Sequence, residues 1–203
     1  MHVLKLGGSL LQEPRILRAW LDAIAAAGCG RLVVVPGGGP FADAVRVAQA
    51  QLGFDEGAAH RMALLAMEQC GLLFASLESA CVPAESTAAI RNALATGRVP
   101  IWMPTRMLAH AEGVPESWEV TSDSLAAWLA CELGASTLWL VKACPVPVQD
   151  RERLAIMGVV DPVFPRFCAE ARFEVRVVGP GDTFRLTGAL AEEMINPAPV
   201  GAP

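Results

Sequence analysis

The sequence predicts an α/β protein, a three-layer αβα sandwich around a mainly parallel sheet. Three observations carry that expectation. Apolar runs without alternation, RLVVVP at 31–36 and TLWLVK at 137–142, read as strands covered on both faces. Longer stretches between such runs place their apolar residues at helical spacing. Glycine-rich segments stand at strand ends, where sheets of this class open their ligand sites.

The elements follow in order. HVLKL at 2–6 is a short buried strand, and Pro14 opens a helix whose Ile16, Leu17, Trp20, Leu21 and Ile24 recur until Gly28. The strand at 31–36 leads into a helix from about Phe41 to Leu52. A longer helix is predicted from about Glu56 to Leu77, with Met62, Leu65, Met67, Leu72 and Leu73 on its apolar surface. Helix 86–96, strand 99–103 (VPIWM), helix Ser122–Leu133 and strand 137–142 come next. A proline-rich loop, short helices near 152–157 and 163–171 and a strand at 173–178 complete the pattern. Residues 1–195 are expected to form one domain. The tail 196–203, made largely of proline, glycine and alanine, is expected to be disordered.

The totals exclude several function classes. An apolar share of 53% argues against disorder. No apolar run reaches the roughly 18 residues of a membrane span, and no basic leader precedes the first strand. A net charge of −5 without a basic cluster predicts no nucleic-acid partner. The cysteines at 29, 70, 81, 131, 144 and 168 show no CxxC spacing. They read as small hydrophobes of a reducing cytoplasm, with neither disulfides nor a metal site. A small-molecule substrate is the partner that remains.

Of the 16 basic residues only Lys5 and Lys142 are lysine, and both end apolar runs. Their compact ammonium groups suit single phosphate oxygens, whereas strand-end snorkelling is the plain alternative. Gly7-Gly8-Ser9 follows the first strand and Gly37-Gly38-Gly39 the second, the latter bracketed by Pro36 and Pro40. Such loops can aim backbone amides at an anion, though each also makes an ordinary turn. In VTSDSLAAWLA (120–130), Thr121 or Ser122 caps a helix and Asp123 falls in its first turn, where the dipole alone would favour it. Together the loops, the two lysines and Asp123 describe a site for phosphoryl transfer, which needs cations and preorganised amides. Neither GxxxxGK[ST] nor GxGxxG occurs.

KLGGS at 5–9, PGGG at 36–39, TSDSLAAWLA at 121–130 and LWLVK at 138–142 resemble, in order and spacing, the amino acid kinase superfamily. That resemblance covers residues 2–143 and implies a cytoplasmic kinase using ATP with Mg²⁺, the metal held mainly by the nucleotide phosphates. It implies that Lys5 steadies the moving phosphoryl group, that Asp123 orients the lysines, and that Gly7, Gly8, Ser9 and Lys142 contact ATP phosphates. It places Gly37, Gly38, Gly39, His60 and Arg61 at the acceptor, and a homodimer or higher oligomer in solution. GGGPFAD, HRMALLAMEQ (60–69) and GVVDPVFP (158–165) resemble a branch whose acceptor is a phosphate monoester, converted to its diphosphate.

One departure stands out. KACPVPVQD at 142–150 replaces the D-G-containing nucleotide loop of many relatives. It keeps open a binding protein for nucleotide or oxoanion on the same fold, and isopentenyl phosphate or carbamate kinases remain further alternatives. Glu68 and Glu132 read as solvated, Asp161 as a turn former, and Met62, Met67, Phe74, Trp128 and Trp139 as core.

Overall fold

A computed structural model describes residues 1–146, 150–169 and 171–195. The predicted tail from Asn196 lies outside the described residues, as do positions 147–149 of the loop after Lys142. The chain runs β1 (His2–Leu6), a 3-10 turn (Gly8–Gln12), α1 (Pro14–Gly28), β2 (Leu32–Pro36), α2 (Gly39–Leu52) and α3 (Glu56–Leu77). It continues through β3 (Cys81–Ala84), α4 (Thr87–Ala95), β4 (Val99–Trp102), α5 (Pro104–Leu108), α6 (Ser122–Leu133) and β5 (Thr137–Val141). Then come α7 (Arg151–Ile156), α8 (Phe164–Phe167), β6 (Glu174–Val178) and α9 (Thr183–Ile195).

The strands form one sheet in the order β3-β4-β2-β1-β5-β6, and every pairing is parallel. β1 lies between β2 and β5, with Lys5 opposite Val35 on one side and Leu140 on the other. Strand side chains alternate between faces. Val3, Val35, Leu138 and Leu140 therefore meet Leu125, Ala126 and Leu129 of α6 in one core. Leu4, Leu6, Val34 and Trp139 meet Trp20 and Ile24 of α1, Phe74 of α3 and Leu186 of α9 in the other. The same alternation puts Lys5 on the α6 face.

The sequence pattern does not predict β3, α5, α9 or the 3-10 turn, and for β3 and α9 the reason is physical. β3 carries Pro83 in its four residues and lies at the sheet edge, where a missing N–H is tolerated. Gly188 interrupts α9, which is held by burying Leu186 and Leu190 against the α1 layer. Only α3 shows the amphipathic pattern differently from expectation. Its Ala59, Leu64, Met67, Cys70 and Phe74 are buried, while Met62, Leu65 and Leu72 of the predicted apolar face are exposed.

Other expectations are corrected in detail. Trp128 is half-buried and stacks on Trp102 with centroids 5.8 Å apart. Glu68 is not merely solvated, because its Oε1 accepts the Thr105 N–H at 2.9 Å and caps α5. Only three cysteines behave as core hydrophobes: burial pushes the Cys70, Cys81 and Cys168 thiols up to about 12. Cys29, Cys131 and Cys144 are exposed. No described helix is long and apolar enough to cross a membrane.

Candidate active site

Two adjacent strands and one helix start build the charged centre. Lys5 ends on the α6 face of β1, and Lys142 continues the alternation of Leu138 and Leu140 on β5, reaching the same face. α6 starts above them with Thr121 as its cap, the Thr121 hydroxyl accepting from the Asp123 N–H at 3.4 Å. Lys142 Nζ donates to Asp123 Oδ2 at 2.6 Å, and Lys5 Nζ lies 3.0 Å from Oδ1. The Lys5 contact is an ion pair without hydrogen-bond alignment, and Lys5 also lines a cleft. All three side chains are nine-tenths buried or nearly so.

The electrostatics close on a net positive charge. Burial would raise the Asp123 carboxyl, but the ammonium groups of Lys5 and Lys142 outweigh it and hold it below its ordinary range. Burial and the neighbouring Lys5 charge lower Lys142 from its ordinary 10.5 to about 8, partly offset by Asp123. A chain with two lysines allows a direct check. In protein labelled at its lysine side chains, we expect the Lys142 ammonium to titrate near pH 8 by NMR. A midpoint above pH 10 would show that the cluster is not desolvated.

Asp161 supports this arrangement from below. Its Oδ2 accepts from the Thr121 N–H at 3.0 Å, the Thr121 hydroxyl at 2.8 Å and the Ser124 N–H at 3.1 Å, and its Oδ1 accepts from the Ser124 hydroxyl. It is buried, and it fixes Thr121 and Ser124, on either side of Asp123 in the helix start, rather than forming only a turn. Asp161→Ala should cost about 2–3 kcal/mol in a urea titration, because it strands buried donors. A loss below about 0.5 kcal/mol, the range of an ordinary surface substitution, would show the α6 start to be self-supporting.

The glycine loops pack on each other. A Cβ on Gly8 would stand 2.2 Å from the Gly39 nitrogen, and one on Gly37 would stand 2.4 Å from the Gly8 nitrogen. Gly39, at φ +50°, opens α2. The glycines are thus required first by loop-to-loop contact, and only then as amides beside a ligand. Gly8, Ser9, Gly37, Gly38, Gly39 and Lys5 line a cleft of about 250 Å³. His60 lines it too, its pKa lowered by burial, so its imidazole is neutral at pH 7.

Arg61 is placed elsewhere: its guanidinium pairs with Glu116 at 2.9 Å, and it does not line the cleft. The guanidinium on the wall is that of Arg46, beside Asp43 and Trp118, none of which the sequence reading singled out. The spacing of Asp43 and Arg46 on one helix face was the available signal; Trp118 sits in an aperiodic connection that gave none. Gly7 and Lys142 lie outside the cleft lining, Lys142 joining it through Asp123. A second hollow of about 520 Å³ opens at the ends of β5 and β6, between Pro145, Val146, Gly179, Pro180, Asp182 and Arg185.

A parallel sheet whose central strand ends in a lysine–aspartate–lysine cluster between two glycine loops defines an α/β protein with an anion site at the carboxyl edge of its strands. The chain belongs to the amino acid kinase family, whose profile matches residues 1–145. It is 29% identical over 130 residues to the [5-(aminomethyl)furan-3-yl]methyl phosphate kinase of Methanocaldococcus jannaschii. That match spans 64% of this chain and 59% of the relative's length. The fold is shared with uridylate kinase from Archaeoglobus fulgidus (TM-score 0.70, 19% identity, 94% of this chain and 95% of that one). It is also shared with aspartate kinase from Synechocystis (TM-score 0.66, 15% identity, 88% of this chain and 37% of that one).

Proposed function

We propose that the protein is an ATP-dependent kinase that phosphorylates [5-(aminomethyl)furan-3-yl]methyl phosphate to its diphosphate, a step of methanofuran-type cofactor synthesis. The observation that carries this reading is the Lys5–Asp123–Lys142 cluster beneath the glycine loops. Its net charge of +1 matches the charge that moves from donor to acceptor during phosphoryl transfer. Lys5, reaching into the cleft, steadies the transferred group; Asp123 holds both ammonium groups in place; Gly8 and Ser9 supply amides. The acceptor occupies the cleft against Gly37, Gly38, Gly39 and His60. A phosphate monoester is ionised at pH 7, so no general base is needed, and a neutral His60 serves as a hydrogen-bonding partner.

In this reading the nucleotide takes the second hollow, beside Gly179 and Arg185, and its phosphates lead toward Lys142 and Gly7. Among the described residues no group of three or more His, Cys, Asp or Glu side chains stands ready for a metal. In this reading Mg²⁺ enters on the ATP phosphates. Six free cysteines suit a reducing cytoplasm.

The test is ADP release with Mg·ATP and the aminomethyl-furan phosphate, with the diphosphate product identified by mass. Turnover supports the assignment. ATP binding without turnover would move the acceptor to another phosphate or carboxylate, and no ATP binding would favour an oxoanion-binding protein.

We also infer that the protein self-associates through α3, which covers the β3–β4 edge of the sheet. Met62, Leu65 and Leu72 are 40%, 48% and 57% exposed and follow a heptad-like seam. Sedimentation velocity should give a dimer or higher species, and a Leu65→Glu, Leu72→Glu double variant a monomer. A monomeric parent protein would exclude this pairing.

A further inference from the structure

The acceptor wall carries two opposite charges that the fold keeps apart. Asp43 and Arg46 stand one turn apart on α2, the spacing at which a carboxylate and a guanidinium ordinarily pair. Both line the cleft, yet among the described residues neither has an ion-pair partner. Arg46 lies instead against the Trp118 ring, its guanidinium carbon 3.9 Å from the ring centroid. Trp118 in turn donates its indole N–H to Gln49 Oε1 at 2.6 Å. Gln49 is one further turn along α2, so that helix grips the indole twice, and the indole draws Arg46 away from Asp43.

The consequences differ for the two charges. A guanidinium lying on an aromatic face keeps the N–H groups at its edge for a planar or tetrahedral anion. Asp43 is left as an exposed carboxylate on the same wall, one helical turn from Arg46. Against a purely anionic acceptor that carboxylate is repulsive, and it becomes attractive only when the acceptor brings a cation.

We propose that this wall selects a zwitterionic phosphate monoester, with Arg46 on its Trp118 platform taking the phosphate already present and Asp43 taking an ammonium group. The inference rests on the kinase reading above and assigns the residues that choose the acceptor. Phosphate esters without an amine are rejected because they leave Asp43 facing an anion.

The test compares [5-(aminomethyl)furan-3-yl]methyl phosphate with its amine-free 5-methyl analogue, by steady-state kinetics and by calorimetry. The parent protein should favour the aminated ester in kcat/KM by about 10- to 100-fold, the factor a charge-assisted hydrogen bond supplies. Asp43→Asn, a change at an exposed helix position, should bring the ratio close to one, lowering kcat/KM for the aminated substrate and raising it for the amine-free one. Trp118→Leu should raise KM for both esters alike and leave their ratio unchanged. Equal use of the two esters by the parent protein, or equal weakening of both by Asp43→Asn, overturns the proposal. An unchanged KM in Trp118→Leu overturns the platform role. If neither ester is turned over but calorimetry retains an amine preference that Asp43→Asn abolishes, the charge reading stands and the kinase reading falls. Binding of neither ester removes both.

Discussion

Lys5→Ala yields a folded protein whose kcat falls about a thousandfold, the upper range for removing one preorganised charge at a transition state. The expectation follows from how the cluster is wired. Lys5 is the member that lines the cleft, and its contact to Asp123 is an unaligned ion pair. Removing it does not orphan the buried carboxylate, because Lys142 still donates to Asp123 Oδ2 at 2.6 Å. The fold therefore loses little while the moving phosphoryl group loses its nearest cation. Lys5→Met provides the control for lost packing, since it refills the space of the lysine stem. Kinetics at saturating Mg·ATP and acceptor, beside thermal melts of both variants, decide the matter. Unfolding of both would make Lys5 structural, and full activity in either would remove it from the chemistry.

Asp123→Asn should damage both activity and stability, and in a pH-dependent way. Without the carboxylate, two ammonium groups face each other in a buried site, and uncompensated buried charge costs about 3–5 kcal/mol. Asp123 is also the charge that raises Lys142, so its loss drives Lys142 below about 8 and depletes its charge at neutral pH. We expect kcat to fall by about two to three orders of magnitude, as for other preorganised charges, with residual activity displaced to lower pH.

The stability signs follow from the same directions. The Asp123 carboxyl is held below its ordinary range, so its contribution is present at neutral pH and disappears as pH falls through its folded value. The gap between parent and variant in urea midpoints should therefore close on acidification. Lys142 has the same sign in a different window: between about 8 and 10.5 the unfolded chain binds more protons than the folded one, so the parent gains stability as pH rises there too. A gap between parent and variant that does not change with pH would contradict this wiring.

Much of the frame was legible because local patterns and long-range demands agreed. Uninterrupted β-branched strands, helical spacing and glycine loops all pointed to a parallel sheet with its site at the carboxyl edge. Where a segment's local signal was weak, as in β3 with Pro83 and α9 with Gly188, the sequence was silent, and tertiary burial supplied the missing stabilisation. Exposed Met62, Leu65 and Leu72 mark the converse case, in which helical periodicity identified a helix without telling which apolar face the core would cover.

The site divides in the same way. Lys5, Asp123, Lys142 and the glycines could be read from the chain because their chemistry is rare: two lysines in 203 residues, glycine clusters at strand ends, a carboxylate in a first helical turn. Only the tertiary structure decided that Arg46 rather than Arg61 stands on the cleft wall, because Arg61 is taken up by Glu116 while Trp118 folds back onto α2. Only it decided that Asp161 supports the start of α6, 37 positions along the chain from Ser124. Residue type reports what a side chain is able to do. Which partner engages it depends on strand order and helix placement, which are set by burial over the whole chain.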